Sequence, residues 1–347
     1  MLIAGDRLRM KVMCMQALDS RAPDLVQCSW FSIVGAPRCG TTSLARHLAS
    51  HPQIYFSKPK EPHFFSQRDL RKYPFHEADG IVREEYLERF FPGRPHGVVL
   101  AEGSVSYLYA PERLLPALRI WPDARFVVAV RNPLEMLPSL HRRNFYNGDE
   151  TVGNFGRAWS MVDDRRRGLR IPRTCIDPRV LDYKEIGQLG KHVRRFMEAV
   201  GRDRCFISVF DDLAAQPRRH HVRLLEFLGL PFHFPEQFRP YRCGSDVRFG
   251  WLQRLLKRPP KLVRTFFASE ALLVRDGAII GSRATGPSID RKLAVRKRLL
   301  AWNRKKPDPI KLDAHLYQEL RDFFGPDVGE LSALIGRDLG HWLNPTN

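Results

Sequence analysis

Apolar runs along the chain end, one after another, on a glycine or polar cluster and give way to a helical pattern. The first contains Phe31, Ile33 and Val34 and stops at Gly35; after a loop that closes at Gly40, Thr41–Thr42–Ser43 open an amphipathic stretch carrying Leu44 and Leu48. A second run, 98–102, delivers Glu102, and a proline-opened helix follows at 111–118. The third, 126–130, is apolar throughout, as in the middle of a parallel sheet, and ends at Arg131–Asn132–Pro133 before a helix that holds Ser139 two turns in. A short extended piece at 54–56, a helix at 84–93, a strand at 205–210 and a helix at 217–228 complete the alternation. Strands alternating with helices predict an α/β fold with a parallel sheet flanked by helices.

The first strand-loop-helix carries the clearest chemistry. Gly35 and Gly40 bound a G-x-x-x-x-G loop, whose backbone N–H groups converge on an anion at a helix N-terminus. Thr41 stands where nucleoside-triphosphate loops have Lys, which argues against a γ-phosphate ligand; Arg38, inside the loop, supplies the cation instead. Thr41, Thr42 and Ser43 offer further donors, and Cys39 reads as a small space-filler rather than a reactive thiol. Arg131 at a strand's carboxyl edge and Ser139 on the next helix predict a second anion site about one strand away. Glu61, flanked by Lys60 and followed by His63, is a general-base candidate, although a surface ion pair explains the same spacing. Glu102, with Ser104 and Tyr107 behind it, is expected to face a ligand from a strand end. Asp211–Asp212 fit either a magnesium pair or, preferably, a strand-end turn.

Composition adds one strong constraint. The 347 residues include 57 Lys and Arg against 38 Asp and Glu, a net charge of +19. An anionic partner is expected, and nucleic acid, acidic polysaccharide, a membrane surface and an anionic cofactor all satisfy that charge. Basic residues concentrate between 241 and 311, at Arg254, Lys257, Arg258, Lys261, Arg264, 291–298 and 304–306. That segment reads as a basic helical insertion serving as an acceptor lid, a membrane-surface face or an oligomer contact, in that order. Arg165–Arg167 reads as a solvated face. The six cysteines form no C-x-x-C pair, so neither a zinc site nor a disulfide framework is expected. No run approaches the roughly 18 apolar residues of a membrane span. The first twenty residues, interrupted by Asp6, Arg7, Arg9 and Lys11, lack a secretory pattern, so a cytoplasmic enzyme is expected.

Four ordered motifs, GAPRCGTTSL at 35–44, KEPHFF at 60–65, AEGSVSY at 101–107 and VAVRNP at 128–133 with Ser139, resemble the sulfotransferases that use 3′-phosphoadenosine 5′-phosphosulfate. The likeness is strongest to the carbohydrate branch, related to heparan sulfate and bacterial enzymes. It implies a P-loop-type sulfotransferase fold over 29–347 preceded by an extension at 1–28. It also implies 3′-phosphoadenosine 5′-phosphosulfate as donor, adenosine 3′,5′-bisphosphate as product, no metal, and a hydroxyl acceptor on a carbohydrate or glycoconjugate. Arg38, Cys39, Gly40, Thr41, Thr42 and Ser43 would hold the 5′-phosphosulfate, and Arg131 with Ser139 the 3′-phosphate. Glu61 would be the base, with His63 as second choice, and Glu102, Ser104 and Tyr107 would meet the acceptor. Arg38 replaces the family's usual Lys; it keeps the charge but cannot readily give up a proton. The rival readings are a P-loop nucleotide or sugar kinase and a non-catalytic basic nucleic-acid-binding protein. The second lacks support from any aromatic-basic or helix-turn-helix pattern.

Overall fold

The structure is a computed structural model that describes residues 29–238, 246–259, 274–275, 278–279, 287–306 and 312–344. At its centre lies β1 (Trp30–Val34), buried at every position. It leads through the glycine loop into α1 (Thr41–Ala49), and the chain continues through β2 (Ile54–Phe56) and β3 (Val99–Glu102). After β4 (Arg125–Val130) come α2 (Pro133–Asn147), α3 (Leu189–Val200), β5 (Cys205–Val209) and α4 (Pro217–Leu228). Within the basic segment lie α5 (Gly250–Lys257) and α6 (Pro287–Asn303), and α7 (Ala314–Ile335) precedes the C-terminal turn.

The five main strands are all parallel, in the order β2-β3-β1-β4-β5. Ser32 of β1 is level with Glu102 of β3 and Phe126 of β4, so the strands deliver their carboxyl ends to one edge. Helices cover both faces, and this double burial is why β1 and β4 are apolar at every position but Ser32 and Arg125. The chain runs from β1 to β3 on one side and then crosses to β4 on the other. The crevice at this topological switch, above the end of β1, is where ligands of open α/β sheets bind.

Several elements depart from the local pattern. Helical structure expected at 84–93 starts at Phe75, behind Pro74, and runs through a π-helical turn at Val82–Leu87 to Phe90. Its buried face is Ala78, Val82, Tyr86, Leu87 and Phe90. Arg165 is buried rather than solvated, because both of its terminal nitrogens donate to the buried Glu150 carboxylate at 2.7 and 2.9 Å. Cys205 is only half-buried, since β5 is an edge strand. Of the expected basic insertion, the described part contains α5, α6 and an antiparallel pairing of Asp246–Val247 with Arg304–Lys305. The extension at 1–28, and Lys261 and Arg264, lie outside the described residues.

Helix α7 packs across α3, where the Asp327 carboxylate accepts from the N–H groups of Gly190 and Lys191 at 2.8 and 2.9 Å. Gly190 is required here: a Cβ would stand 2.4 Å from the Asp327 carbonyl oxygen.

Candidate active site

The glycine loop owes its shape to two constraints on Gly35. Its φ of +60° is left-handed, and a Cβ there would lie 2.3 Å from Leu108. Arg38 also adopts a left-handed φ, +68°, a conformation that costs a residue with a Cβ about 1 kcal/mol or more. In that conformation its Nε donates to Ser139 Oγ on α2 at 2.9 Å. Gly40, left-handed at φ +82°, heads α1 without a side-chain cap. The N–H groups of the helix's first turn, from Thr41 and Thr42, therefore point into the crevice with no intrahelical acceptor. Thr41 and Ser43 are buried and Thr42 is half-buried.

Cys39 is the exception in the loop. Its side chain is fully buried, its Sγ donates weakly to the Pro37 carbonyl, and burial pushes the thiol up to about 12 despite Arg131 and Arg38 nearby. The Cys39 side chain fills core space beneath the loop and does not itself line the crevice.

Arg131 joins the same crevice from the end of β4. One Nη donates to the Arg38 carbonyl at 3.4 Å, and Nε and the other Nη donate to Glu135 at 3.2 and 2.7 Å. Its guanidinium lies 4.3 Å from the Phe210 ring centroid, and Phe210 packs against Gly40. The two anion sites expected a strand apart thus share a wall: Arg38 touches Ser139, and Arg131 touches Arg38. Two guanidinium groups, hydroxyls and a helix N-terminus form a donor set suited to a ligand with two separated anionic groups. Phe210 carried no signal of its own, whereas the i, i+4 spacing of Glu135 from Arg131 was an available clue to their pairing.

Glu61 sits at the same sheet edge on the β3 side, because the Gly103 N–H donates to the Lys60 carbonyl at 2.9 Å and extends the strand pairing. Lys60 Nζ is 2.6 Å from Glu61 Oε1, and His63 Nε2 is 3.6 Å from Oε2. Burial alone would raise the Glu61 carboxyl; His63 and Lys60 outweigh it and hold the group at about 2. His63, left-handed at φ +54°, is held by its N–H on Ser104 Oγ and by Nδ1 against Ser106 Oγ, both at 2.8 Å. Ser106 was not foreseen as a site residue, and Lys60 was foreseen only as the flank of Glu61.

Glu102, Ser104 and Tyr107 do not face an acceptor. All three are fully buried. Glu102 accepts from Tyr86 and Tyr107 hydroxyls at 2.8 and 2.9 Å and from Ser104 at 2.5 Å. Burial pushes its carboxyl up to about 7 against those three donors. Glu102 closes the continuously buried run Leu100–Glu102 of β3 and points into the core, so this network supports the Glu61–His63 loop from beneath, through Ser104.

Asp211–Asp212 open a short helix rather than a turn, and both are engaged by the C-terminal segment. Asp211 accepts from Trp342 Nε1 at 2.7 Å and lies 3.0 Å from His341 Nε2; Asp212 pairs with Arg337 at 2.6 Å.

Known proteins resemble this chain in sequence and in fold. A family model described as "Sulfotransferase family" matches residues 31–234. Carbohydrate sulfotransferase 15 of Mus musculus is 25% identical over 156 residues, covering 31% of this chain and 26% of its own length. The Homo sapiens protein of that name is 37% identical over 71 residues, covering 17% and 11%. The chain therefore matches about a quarter or less of these relatives' length. A sulfotransferase from Alicyclobacillus acidocaldarius superposes over 90% of this chain and 98% of its own, with a TM-score of 0.59 and 23% identity.

Proposed function

Because the chain belongs to the sulfotransferase family, we propose that it moves a sulfuryl group from 3′-phosphoadenosine 5′-phosphosulfate to a hydroxyl of a carbohydrate or glycoconjugate. The observation that carries the donor assignment is the contiguous Arg38–Ser139 and Arg131–Arg38 contact, which sets cations for two anionic groups side by side. The short matches to carbohydrate sulfotransferase 15 support the acceptor class.

When bound, that donor supplies the sulfuryl group and a phosphate leaving group. The first-turn N–H groups of α1 and the Arg38 guanidinium stabilise charge on the departing phosphate side. Arg131 and Ser139 hold the second phosphate and so orient the nucleotide for in-line transfer. Glu61 would take the acceptor hydroxyl proton on its carboxylate. Lys60 and His63 keep that carboxylate ionised and aimed.

Calorimetric titration of the purified protein with adenosine 3′,5′-bisphosphate, in parallel with ATP and magnesium, tests the reading. Tight bisphosphate binding and weak ATP binding are expected. In Arg131→Ala the loss should fall on ligands bearing a 3′-phosphate and spare adenosine 5′-monophosphate. Preference for ATP with magnesium would replace the proposal with a kinase.

A further inference from the structure

The stretches 246–259 and 294–306 contain ten Lys and Arg and one acid, Asp246, which Lys305 faces at 3.7 Å. Large aromatic side chains stand in the open on this cationic surface. Trp251 is 62% exposed, Trp302 53% and Phe249 44%, whereas the chain's other four tryptophans are at most 3% exposed.

These rings form an organised platform. Phe249 and Trp302 stack at 5.9 Å with an interplanar angle of 22°, and the Arg248 guanidinium lies 5.8 Å from the Trp302 centroid. Buried Asn303 pins the pair, accepting from the Phe249 N–H at 2.9 Å and donating to the Phe249 carbonyl at 3.0 Å. Trp251 follows two residues later in the first turn of α5. Along α6, exposed Val295, Arg298 and Trp302 share one face by their i, i+3, i+7 spacing. The platform is anchored to the end of α2 through Gln253 Nε2 on the Tyr146 carbonyl at 2.8 Å, and to the turn after it through the Arg258–Asp149 pair at 3.0 Å.

Exposed indoles interleaved with cations match the headgroup zone of an anionic bilayer, where rings seat at the interface and Lys and Arg meet lipid phosphates. A second copy of this surface would oppose like charges. A soluble acidic polymer satisfies the cations but offers the indoles no apolar layer. No helix among the described residues is long and apolar enough to cross a membrane. We propose that Phe249, Trp251 and Trp302, with Arg248, Lys305 and Lys306, dock this protein peripherally on anionic lipid.

The test uses the full chain with vesicles of phosphatidylglycerol and phosphatidylcholine, and vesicles of phosphatidylcholine alone. Sedimentation with the anionic vesicles is expected, with a blue shift of tryptophan emission and quenching by lipid spin-labelled near the headgroup. Trp251→Ala with Trp302→Ala should weaken partitioning about tenfold or more and abolish the quenching. Lys305→Glu with Lys306→Glu should weaken it by at least about 30-fold. If the tryptophan variant folds poorly, wild-type quenching and the charge variant still decide. Absence of quenching in the wild type, equal partitioning of the charge variant, or binding to heparin or DNA in place of vesicles would overturn the proposal.

Discussion

At the scale of single residues, Glu61 and Glu102 show how two carboxylates near one sheet edge diverge. Lys60 and His63 hold Glu61 at about 2, below its ordinary range, so the stability this cluster contributes is present above that range and lost as pH falls through about 2. The carboxylate is thus ionised throughout the neutral range. Glu61→Gln should lower turnover about 100-fold or more while adenosine 3′,5′-bisphosphate still binds. Unchanged turnover removes Glu61 as base, and a loss of about 100-fold in His63→Ala beside it gives the role to the imidazole. Glu102 has the opposite sign. Its carboxyl is raised to about 7 by burial, so its contribution is full below the ordinary carboxylate range and is lost as pH rises through about 7. Glu102→Gln should flatten stability between about pH 5 and 8, a range over which the wild type loses roughly 3 kcal/mol, with the acceptor KM unchanged. Urea melts across pH together with acceptor kinetics check both parts. Residue type and neighbours marked Glu61 and Glu102 alike as candidates; the inward turn of β3, a three-dimensional property, separates them.

At the scale of elements, α4 presents His220 and His221, both buried, to the rest of the fold. His220 Nε2 meets Ser208 Oγ of β5 at 3.0 Å, and His221 Nε2 donates to the His233 carbonyl at 2.9 Å. Burial brings both imidazoles down to about 4; Asp212 opposes it for His220, and for His221 the His233 carbonyl opposes it while His47 and His51 add to it. A depressed folded value means stability present above the ordinary imidazole range and lost as pH falls toward 4. Denaturant unfolding at successive pH values from 7 to 4 should show this loss, roughly several kcal/mol, with a slope approaching two protons. A flat profile would place these rings in water. The amphipathic period announced α4 itself, but histidines carry no mark of burial, so their role depended on what packs over them.

At the scale of the molecule, the C-terminal turn packs against the residues next to Arg131 and just after β5. The Trp342 carbonyl accepts from Asn132 Nδ2 at 2.9 Å, one residue from Arg131, while its indole donates to Asp211 at the end of β5. One buried residue thereby ties α7 to both the β4–α2 turn and β5. Trp342→Ala should destabilise the protein by about 3–5 kcal/mol and weaken bisphosphate binding, because losing the buried indole and its Asp211 bond loosens the turn whose backbone carbonyl holds Asn132 beside Arg131. Thermal melts and the same calorimetric titration check this; a large drop in Tm with unchanged affinity would confine Trp342 to stability.

Local pattern alone determined the parallel α/β class, the glycine loop, the two cations Arg38 and Arg131, and the Lys60–Glu61–His63 cluster. These are short-range properties, set by apolar period, turn chemistry and residues close in the chain. Tertiary structure decided which groups face the crevice. It brought Ser139 onto Arg38 across 101 positions, turned Glu102 and Cys39 into the core, and spent Asp211 and Asp212 on a segment more than 120 residues away. Such contacts depend on strand order, register and helix crossing, and a sequence read in one dimension states none of the three.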